Sequence, residues 1–358
     1  MNSSQKKLEK SEVEIDIELS AEELEAYRED ALAVLGKDMR VEGFRPGHAP
    51  SQVVERKIGE SSVLEKMARS AISESYTNFI QQEGLDVIGD PEVQILKLAP
   101  GNPFEYRIRV AVLPEIELPD YKKLAGEKER KKVTVEEKEV QDALEWLQKS
   151  KKEDVAGATD LKMANPVDVS ANKEELSDEF AKSLGNFENL AALKESVNEG
   201  LQHEKEMQET DRLRQEIIEN ITEEARMEIP DILIEREKAV LLENVKKGIG
   251  SVMQMEFEDY LQKSGKTEQE LLESFASEAE QRVKKFLVLR EVARREQIAV
   301  TKEEIEEEAN NILAHYKDAS SASKEIDPLK LREYTEGVIR HEKTLQFLQQ
   351  FAKAQPAI

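Results

Sequence analysis

The first third of the chain alternates between strand-type and helix-type spacing of its apolar residues. Residues 12–19 alternate apolar and acidic positions, which is typical of a strand with one buried face. Two later segments, 92–98 and 103–112, have strand-type composition and are separated by a proline–glycine turn. Helical spacing predicts three helices among these strands, over residues 20–39, 50–58 and 61–84. We expect residues 1–115 to form an α+β domain, with helices packed on a small antiparallel sheet.

From residue 176 onward, apolar residues recur every three or four positions almost to the C terminus. This spacing predicts a series of amphipathic helices. Capping signals mark several predicted helix starts along the chain, at Ser20 with Glu23, Thr134, Thr267, Thr301 and Asp327. The apolar stripe predicted for the last helix consists of Leu331, Tyr334, Val338, Leu345, Leu348 and Phe351. We therefore expect residues 176–358 to form an elongated, mostly α-helical domain.

The region between the two predicted domains, residues 116–175, is expected to be a linker region. It follows the proline-punctuated stretch LPEIELPDY and contains one predicted helix over residues 134–152. Residues 153–175 are polar and show no regular apolar spacing, which is typical of a connecting segment.

Composition excludes several classes of function. The 358 residues include no cysteine, so disulfides and thiol catalysis are excluded and a reducing, cytoplasmic compartment fits. The N terminus lacks the apolar core of a signal peptide, and no apolar stretch of about 18 residues exists to span a membrane. With 76 acidic against 52 basic residues the net charge is −24, which argues against broad nucleic-acid binding. Contact with RNA is expected only through a local patch.

No motif in the chain predicts catalysis, a metal or a cofactor. The sequence SGKT at 264–267 resembles the end of a phosphate-binding loop, but Tyr260 stands where that motif needs glycine and helices flank it on both sides. We interpret it as a turn that caps a helix. The four histidines do not lie at metal-ligand spacing, and the acidic run 302–310 is typical of a solvated helix face.

The stretch GFRPGHAP, residues 43–50, lies between two predicted helices. Its glycines allow unusual backbone angles, and its prolines restrict the loop before it meets a partner. Phe44 offers apolar area, and Arg45 offers a planar guanidinium that binds carboxylates or phosphates. Between residues 37 and 57, five basic residues outnumber three acidic ones. The pattern indicates either a docking tip or an ordinary helix connection with Phe44 packed inward.

These residues resemble the trigger factor family of bacterial ribosome-associated chaperones. GFRPGHAP is similar to that family's ribosome-docking signature, Gly-Phe-Arg-x-Gly-Lys-x-Pro. LPEIELPDYKKL resembles the family's exit from the N-terminal domain. Residues 176–197 and 228–237 resemble the start of its helical C-terminal domain. The motifs follow the family's order and extend over nearly the whole chain.

The resemblance implies docking on the large ribosomal subunit, beside the exit of the nascent-chain tunnel. The residues that it assigns to docking are Arg40, Gly43, Phe44, Arg45, Pro46, Gly47 and His48. His48 stands where the family usually has lysine, which removes most of one positive charge from the tip and implies weaker or more pH-sensitive docking. A homodimer away from the ribosome is left open.

The resemblance also implies an ATP-independent chaperone that holds nascent and unfolded polypeptides in a partly apolar helical cradle. Candidates for client contact are Met253, Met255, Phe257, Leu345, Phe347, Leu348 and Phe351. The alternative for these residues is ordinary helix packing.

The family usually carries a prolyl isomerase domain between its linker and its helical body. In this chain residues 153–175 fill that position, and a segment below about 40 residues rarely folds alone. We therefore expect no enzyme activity, although family membership alone would imply a peptidyl-prolyl cis-trans isomerase. A third reading is an acidic helical scaffold that binds one folded partner.

Overall fold

The computed structural model describes residues 1–37, 39, 44–45, 48–157, 176–185, 187–314 and 327–354. In chain order its elements are β1 (Asn2–Lys7), β2 (Glu12–Leu19), α1 (Ala21–Glu25), α2 (Arg28–Gly36), α3 (Ser51–Ile58), α4 (Glu60–Glu83), β3 (Val87–Lys97), β4 (Phe104–Val112), α5 (Tyr121–Gly126), β5 (Glu129–Arg130), α6 (Glu137–Gly157), α7 (Asp178–Leu184), α8 (Leu190–Glu224), α9 (Asp231–Gly248), a π-helical turn (Ile249–Met253), α10 (Phe257–Ser264), α11 (Glu268–Ser274), α12 (Ala276–Arg295), α13 (Lys302–Ala314), α14 (Pro328–Gln349) and β6 (Lys353–Ala354). An α+β N-terminal region and a mostly helical C-terminal region were both expected, and both are confirmed.

Contacts group these elements into two compact units. The first comprises Met1–Glu117 and Ala225–Val288, and the second comprises Leu118–Glu224 and Leu289–Ile358. Residues 225–288, which we expected in the C-terminal domain, group with the N-terminal residues: Ser11 donates to the Glu228 carbonyl at 2.7 Å, and Leu113 and Ile116 pack against the cluster around Ile229. The domain boundaries near residues 115 and 175 stay predictions.

The first unit is built around an antiparallel sheet with strand order β1-β2-β4-β3. Alternation along β2 buries every second residue, from Val13 to Leu19, as its pattern predicted. The other face of β2 carries carboxylates, and Arg107 of β4 donates to Asp16 at 2.7 Å. Because β1 is polar and exposed along its whole length, its sequence gave no strand signal.

Helices α1 to α4 cover the apolar face of the sheet. Buried side chains from both layers form one core, which includes Ile15, Ile17, Leu64, Met67, Ala71, Phe79, Phe104, Tyr106 and Ile108. The helix predicted over residues 20–39 is two helices, because the chain breaks at Ala26 and Tyr27. The predicted capping box of Ser20 and Glu23 is confirmed. Gly59, at φ +90°, separates α3 from α4.

The remainder of the first unit consists of α9, the π-helical turn, α10, α11 and the start of α12. The buried Lys238 donates to Glu235 at 2.8 Å and to Glu273 at 3.3 Å, which joins α9 to α11. Gly265 ends α10 at φ +66°, and Thr267 caps α11. The SGKT sequence is therefore a helix-capping turn, as predicted.

The second unit is organised around the long helix α8. Helices α6 and α7 pack against its first half through Leu144, Phe180 and Leu193. The predicted cap of α6 at Thr134 is wrong, because the backbone N–H of Glu136 donates to the Glu139 carboxylate and the helix begins there. The helix also continues to Gly157, so residues 153–157 belong to it and not to a linker. Residues 158–175 lie outside the described residues.

The burial of strand residues in the first unit predicts which of them stabilise the fold. Ile15 on β2 is fully buried, whereas half of the Ile95 side chain on the edge strand β3 is exposed. We expect Ile15→Ala to lower the free energy of unfolding by about 3 kcal/mol and the matched control Ile95→Ala by less than about 1 kcal/mol. Urea denaturation followed by circular dichroism measures both values. Equal losses would contradict the assignment of core and edge.

Candidate functional site

The connection between α2 and α3, residues 37–50, is held at its base by close helix packing. Gly36 is the last residue of α2, and a Cβ built on it would lie 3.2 Å from Cγ2 of the buried Val54 in α3. Met39 and Ala49, near the two ends of the connection, both pack partly against the core. The loop therefore begins and ends on the core.

The tip of this connection presents its side chains to solvent. Phe44 is 42% exposed, and Arg45 and His48 are exposed as well. The backbone N–H of His48 donates to the carbonyl of Arg45 at 3.0 Å, which closes a turn. Within the described residues, no carboxylate lies within ion-pair distance of the Arg45 guanidinium. Of the two interpretations left open by the sequence, the exposure of Phe44 fits the docking tip.

Four of the predicted docking residues, Arg40, Gly43, Pro46 and Gly47, lie outside the described residues. Of the predicted docking residues, the structure therefore describes Phe44, Arg45 and His48.

The first group of client candidates lies where the π-helical turn meets α10. Met253 is 57% exposed, and Gln254 beside it has a left-handed backbone at φ +49°. Phe257 is half-buried, because its ring stacks on Tyr260 with centroids 6.5 Å apart and the Lys246 ammonium lies 5.0 Å from its centroid. Met255 is also half-buried. Met253 therefore offers most of the free apolar surface here.

The second group of client candidates lies at the end of α14 and is more covered. Leu348 is fully buried, so its side chain has no surface to offer a client. The rings of Phe347 and Phe351 meet edge to face at 5.1 Å, and the Lys122 ammonium lies 5.5 and 5.8 Å from their centroids. Leu345 is half-buried. Ordinary packing accounts for most of this group.

Charge fixes Lys122 in that position. Glu296 lies 2.7 Å from Lys122 and accepts a 2.6 Å hydrogen bond from the Tyr121 hydroxyl. The hydrogen bond from Lys122, followed by that from Tyr121, holds the pKa of Glu296 below its usual range. Burial, followed by the Glu296 carboxylate, raises the pKa of Tyr121 to about 12. At neutral pH the Tyr121 phenol is therefore protonated and the Glu296 carboxylate is ionised. The contact between Tyr121, Lys122 and Glu296 is thus a structural one.

Other apolar residues are exposed that we did not predict as client candidates. Tyr334 and Val338 belong to the apolar stripe predicted for the last helix, α14, yet both are exposed, and Leu329 is exposed as well. Trp146, the single tryptophan, is exposed on α6. Helical spacing identifies such a stripe but does not indicate where along its length a partner covers it.

The described part of the chain shows neither a metal-binding cluster nor a membrane-spanning helix. No group of three or more histidine, aspartate or glutamate side chains is arranged there to hold a metal ion. No helix among those residues is long and apolar enough to cross a bilayer.

An α+β unit with an exposed aromatic–arginine tip, combined with helices that leave several apolar side chains exposed, fits a polypeptide-binding protein. The family model for "Bacterial trigger factor protein (TF)" matches residues 1–147, and the model for its C-terminus matches residues 189–350. The chain belongs to the bacterial trigger factor family.

Individual relatives match over the full length of the chain. The trigger factor of Carboxydothermus hydrogenoformans is 26% identical over 430 aligned positions, which cover 99% of this chain and 100% of the relative. That of Pelotomaculum thermopropionicum is also 26% identical and covers 99% and 98%. Because 430 positions exceed the 358 residues of this chain, the relatives carry residues that it lacks.

A solved structure has the same fold. It is described by the words "Promiscuous Substrate Recognition in Folding and Assembly Activities of the Trigger Factor Chaperone". The two chains are 20% identical, with a TM-score of 0.58 over 98% of this chain and 99% of the other.

Proposed function

We propose that this chain is an ATP-independent chaperone that docks on the large ribosomal subunit at the tunnel exit through residues 43–50. It then holds nascent and unfolded polypeptides on the apolar patches of its helices. The observation that carries the proposal is the exposed pair Phe44 and Arg45 on a loop anchored at both ends. The absence of cysteine from the sequence supports action in the cytoplasm.

Docking follows from the chemistry of the tip. A ribosomal surface offers phosphates and protein carboxylates, and a guanidinium binds both with paired hydrogen bonds. The phenylalanine ring adds apolar area at the centre of a small contact, where exclusion of water strengthens the neighbouring ion pair. The local excess of positive charge near the loop reduces the repulsion that a net charge of −24 would otherwise cause, and ribosomal RNA contact stays local.

Removal of both tip side chains tests the docking step. We expect Phe44→Ala with Arg45→Ala to weaken ribosome binding at least about tenfold, since each such anchor contributes on the order of 1–2 kcal/mol. Co-sedimentation with purified ribosomes at a fixed salt concentration measures the change. Arg332→Ala with Tyr334→Ala is the matched control, because it removes another exposed guanidinium and ring, from α14. Unaltered co-sedimentation of the tip variant would defeat the docking proposal.

Client holding follows from weak, non-directional burial. Apolar contact contributes about 25 cal/mol per Å² whatever the client sequence, so small separate patches bind many sequences with low affinity. Low affinity permits release without ATP. The flexible thioether of Met253 adapts to different client side chains, and the acidic exterior keeps the complex in solution.

A polar replacement at Met253 tests the client surface. We expect Met253→Gln to raise the concentration needed to suppress aggregation of several unrelated unfolded proteins about two- to threefold, because other patches remain. Light scattering during dilution from denaturant measures this. Val34→Gln, at an equally exposed apolar position on α2, is expected to have no effect. If the wild-type chain suppresses the aggregation of none of these proteins, the acidic scaffold becomes the better reading.

The proposal assigns no isomerase activity to this chain. The position of the family's isomerase domain is filled by residues 153–175, of which 153–157 extend α6. That leaves too few residues for an independent catalytic domain. We expect no acceleration of a proline-limited refolding step at substoichiometric amounts, measured by fluorescence of the refolding protein. Clear acceleration would show that the chain has an isomerase site.

A further inference from the structure

The two edges of the sheet in the first unit differ in chemistry. The edge strand β1 has the sequence NSSQKK, and all of its residues are exposed and polar. Lysines on an edge strand discourage pairing with other chains. The opposite edge, β3, instead exposes Val93 at 39%, Ile95 at 50% and Leu96 at 48%. The β1 edge is thus polar throughout, whereas β3 leaves an aliphatic stretch unprotected between Glu92 and Lys97.

The unprotected part of β3 is residues 92–97. Nearer the start of the strand, Gly89 at φ +76° and Pro91 interrupt the regular backbone, and the pairing with β4 shifts between Ile88 and Glu92. Gly89 is also covered, since a Cβ there would lie 2.3 Å from Cδ1 of Ile232 in α9. In the described residues β3 pairs with β4 alone. The unpaired backbone edge of residues 92–97 is about 20 Å long, and a second shift in the pairing with β4 lies within it, between Ile95 and Lys97.

Two of the three exposed aliphatic side chains continue the apolar face of the sheet. Val93 and Ile95 stand beside Ile108 and Tyr106 of β4, which are fully buried. A strand added outside β3 would place alternate side chains next to Val93 and Ile95 and would extend the same apolar face. It would also satisfy the outward-pointing backbone groups of the edge.

We propose that residues 92–97 bind an extended segment of an unfolded polypeptide by strand addition, with a preference for segments that carry apolar residues at alternate positions. The inference rests on the proposed function in one respect: it takes an unfolded client polypeptide as the molecule that binds residues 92–97. Local charge favours a client over a second copy of the chain. Residues 92–97 carry one acidic and one basic side chain, Glu92 and Lys97, and Lys97 also pairs with Glu105 at 3.3 Å, whereas a second copy would bring another net charge of −24.

Hydrogen exchange with a permanently unfolded probe tests the proposal. The probe is reduced, carboxymethylated lactalbumin, and its binding to the full chain is measured separately by fluorescence anisotropy. We expect the probe to slow amide exchange within residues 92–97 at least about fivefold, because strand addition gives outward amides a new acceptor.

A pair of lysine substitutions separates strand addition from simple charge effects. Ile95→Lys places a charge on the apolar face of the edge and is expected to abolish the slowed exchange. Gln94→Lys adds the same charge on the opposite face of the same strand and is expected to leave it intact. If circular dichroism shows that Ile95→Lys is unfolded, Ile95→Thr keeps the branched shape and is expected to reduce the protection.

Each outcome bears on the proposal. Anisotropy that shows probe binding, with unchanged exchange at 92–97, would overturn the strand-addition site and leave the chaperone function standing. Lack of any probe binding would overturn both. Slow exchange at 92–97 without probe, increasing with protein concentration, would assign the edge to a second copy of the chain and overturn the client proposal.

Discussion

The close packing of α2 on α3 is the constraint on which the candidate docking site depends. Gly36 allows the two helices to approach until Val54 fills the space that a side chain would occupy. Both helices belong to the layer that covers the apolar face of the sheet, so their positions are fixed by the same core. The connection therefore starts where the two helices are in contact, and Met39 and Ala49, both half-buried, pack against the same core. Phe44 and Arg45 lie between these two packed positions and are exposed.

Local signals predicted the parts of the fold that depend on few residues. The alternation of β2, the capping box at Ser20 and the turn at Gly265 were all predicted correctly, because each depends on a short stretch of sequence. The strand β1 was missed, since a polar edge strand is stabilised by its neighbour and not by its own pattern. The cap at Thr134 was wrong because the Glu139 carboxylate accepts the backbone N–H of Glu136, so the helix starts later than predicted, at Glu137.

The candidate site was predictable to a similar degree. The composition of the loop indicated a stiff tip, but only coordinates show that Phe44 is exposed. Among the client candidates, sequence spacing did not separate the buried Leu348 from the exposed Met253, because burial depends on which helix packs nearby. The same limit explains why Tyr334 belongs to the apolar stripe of α14 and is nevertheless exposed. The unprotected edge of β3 depends on strand order, which no local pattern specifies.

Site-specific crosslinking from the tip tests the central claim most directly. A photoreactive phenylalanine analogue in place of Phe44 preserves the ring and reports what lies within a few ångströms of it. The account predicts that, with purified ribosomes, crosslinks form to components of the large subunit at the tunnel exit, and that high salt reduces them because the Arg45 contact is electrostatic. Crosslinks only within the chain itself, unchanged by ribosomes or salt, would contradict it.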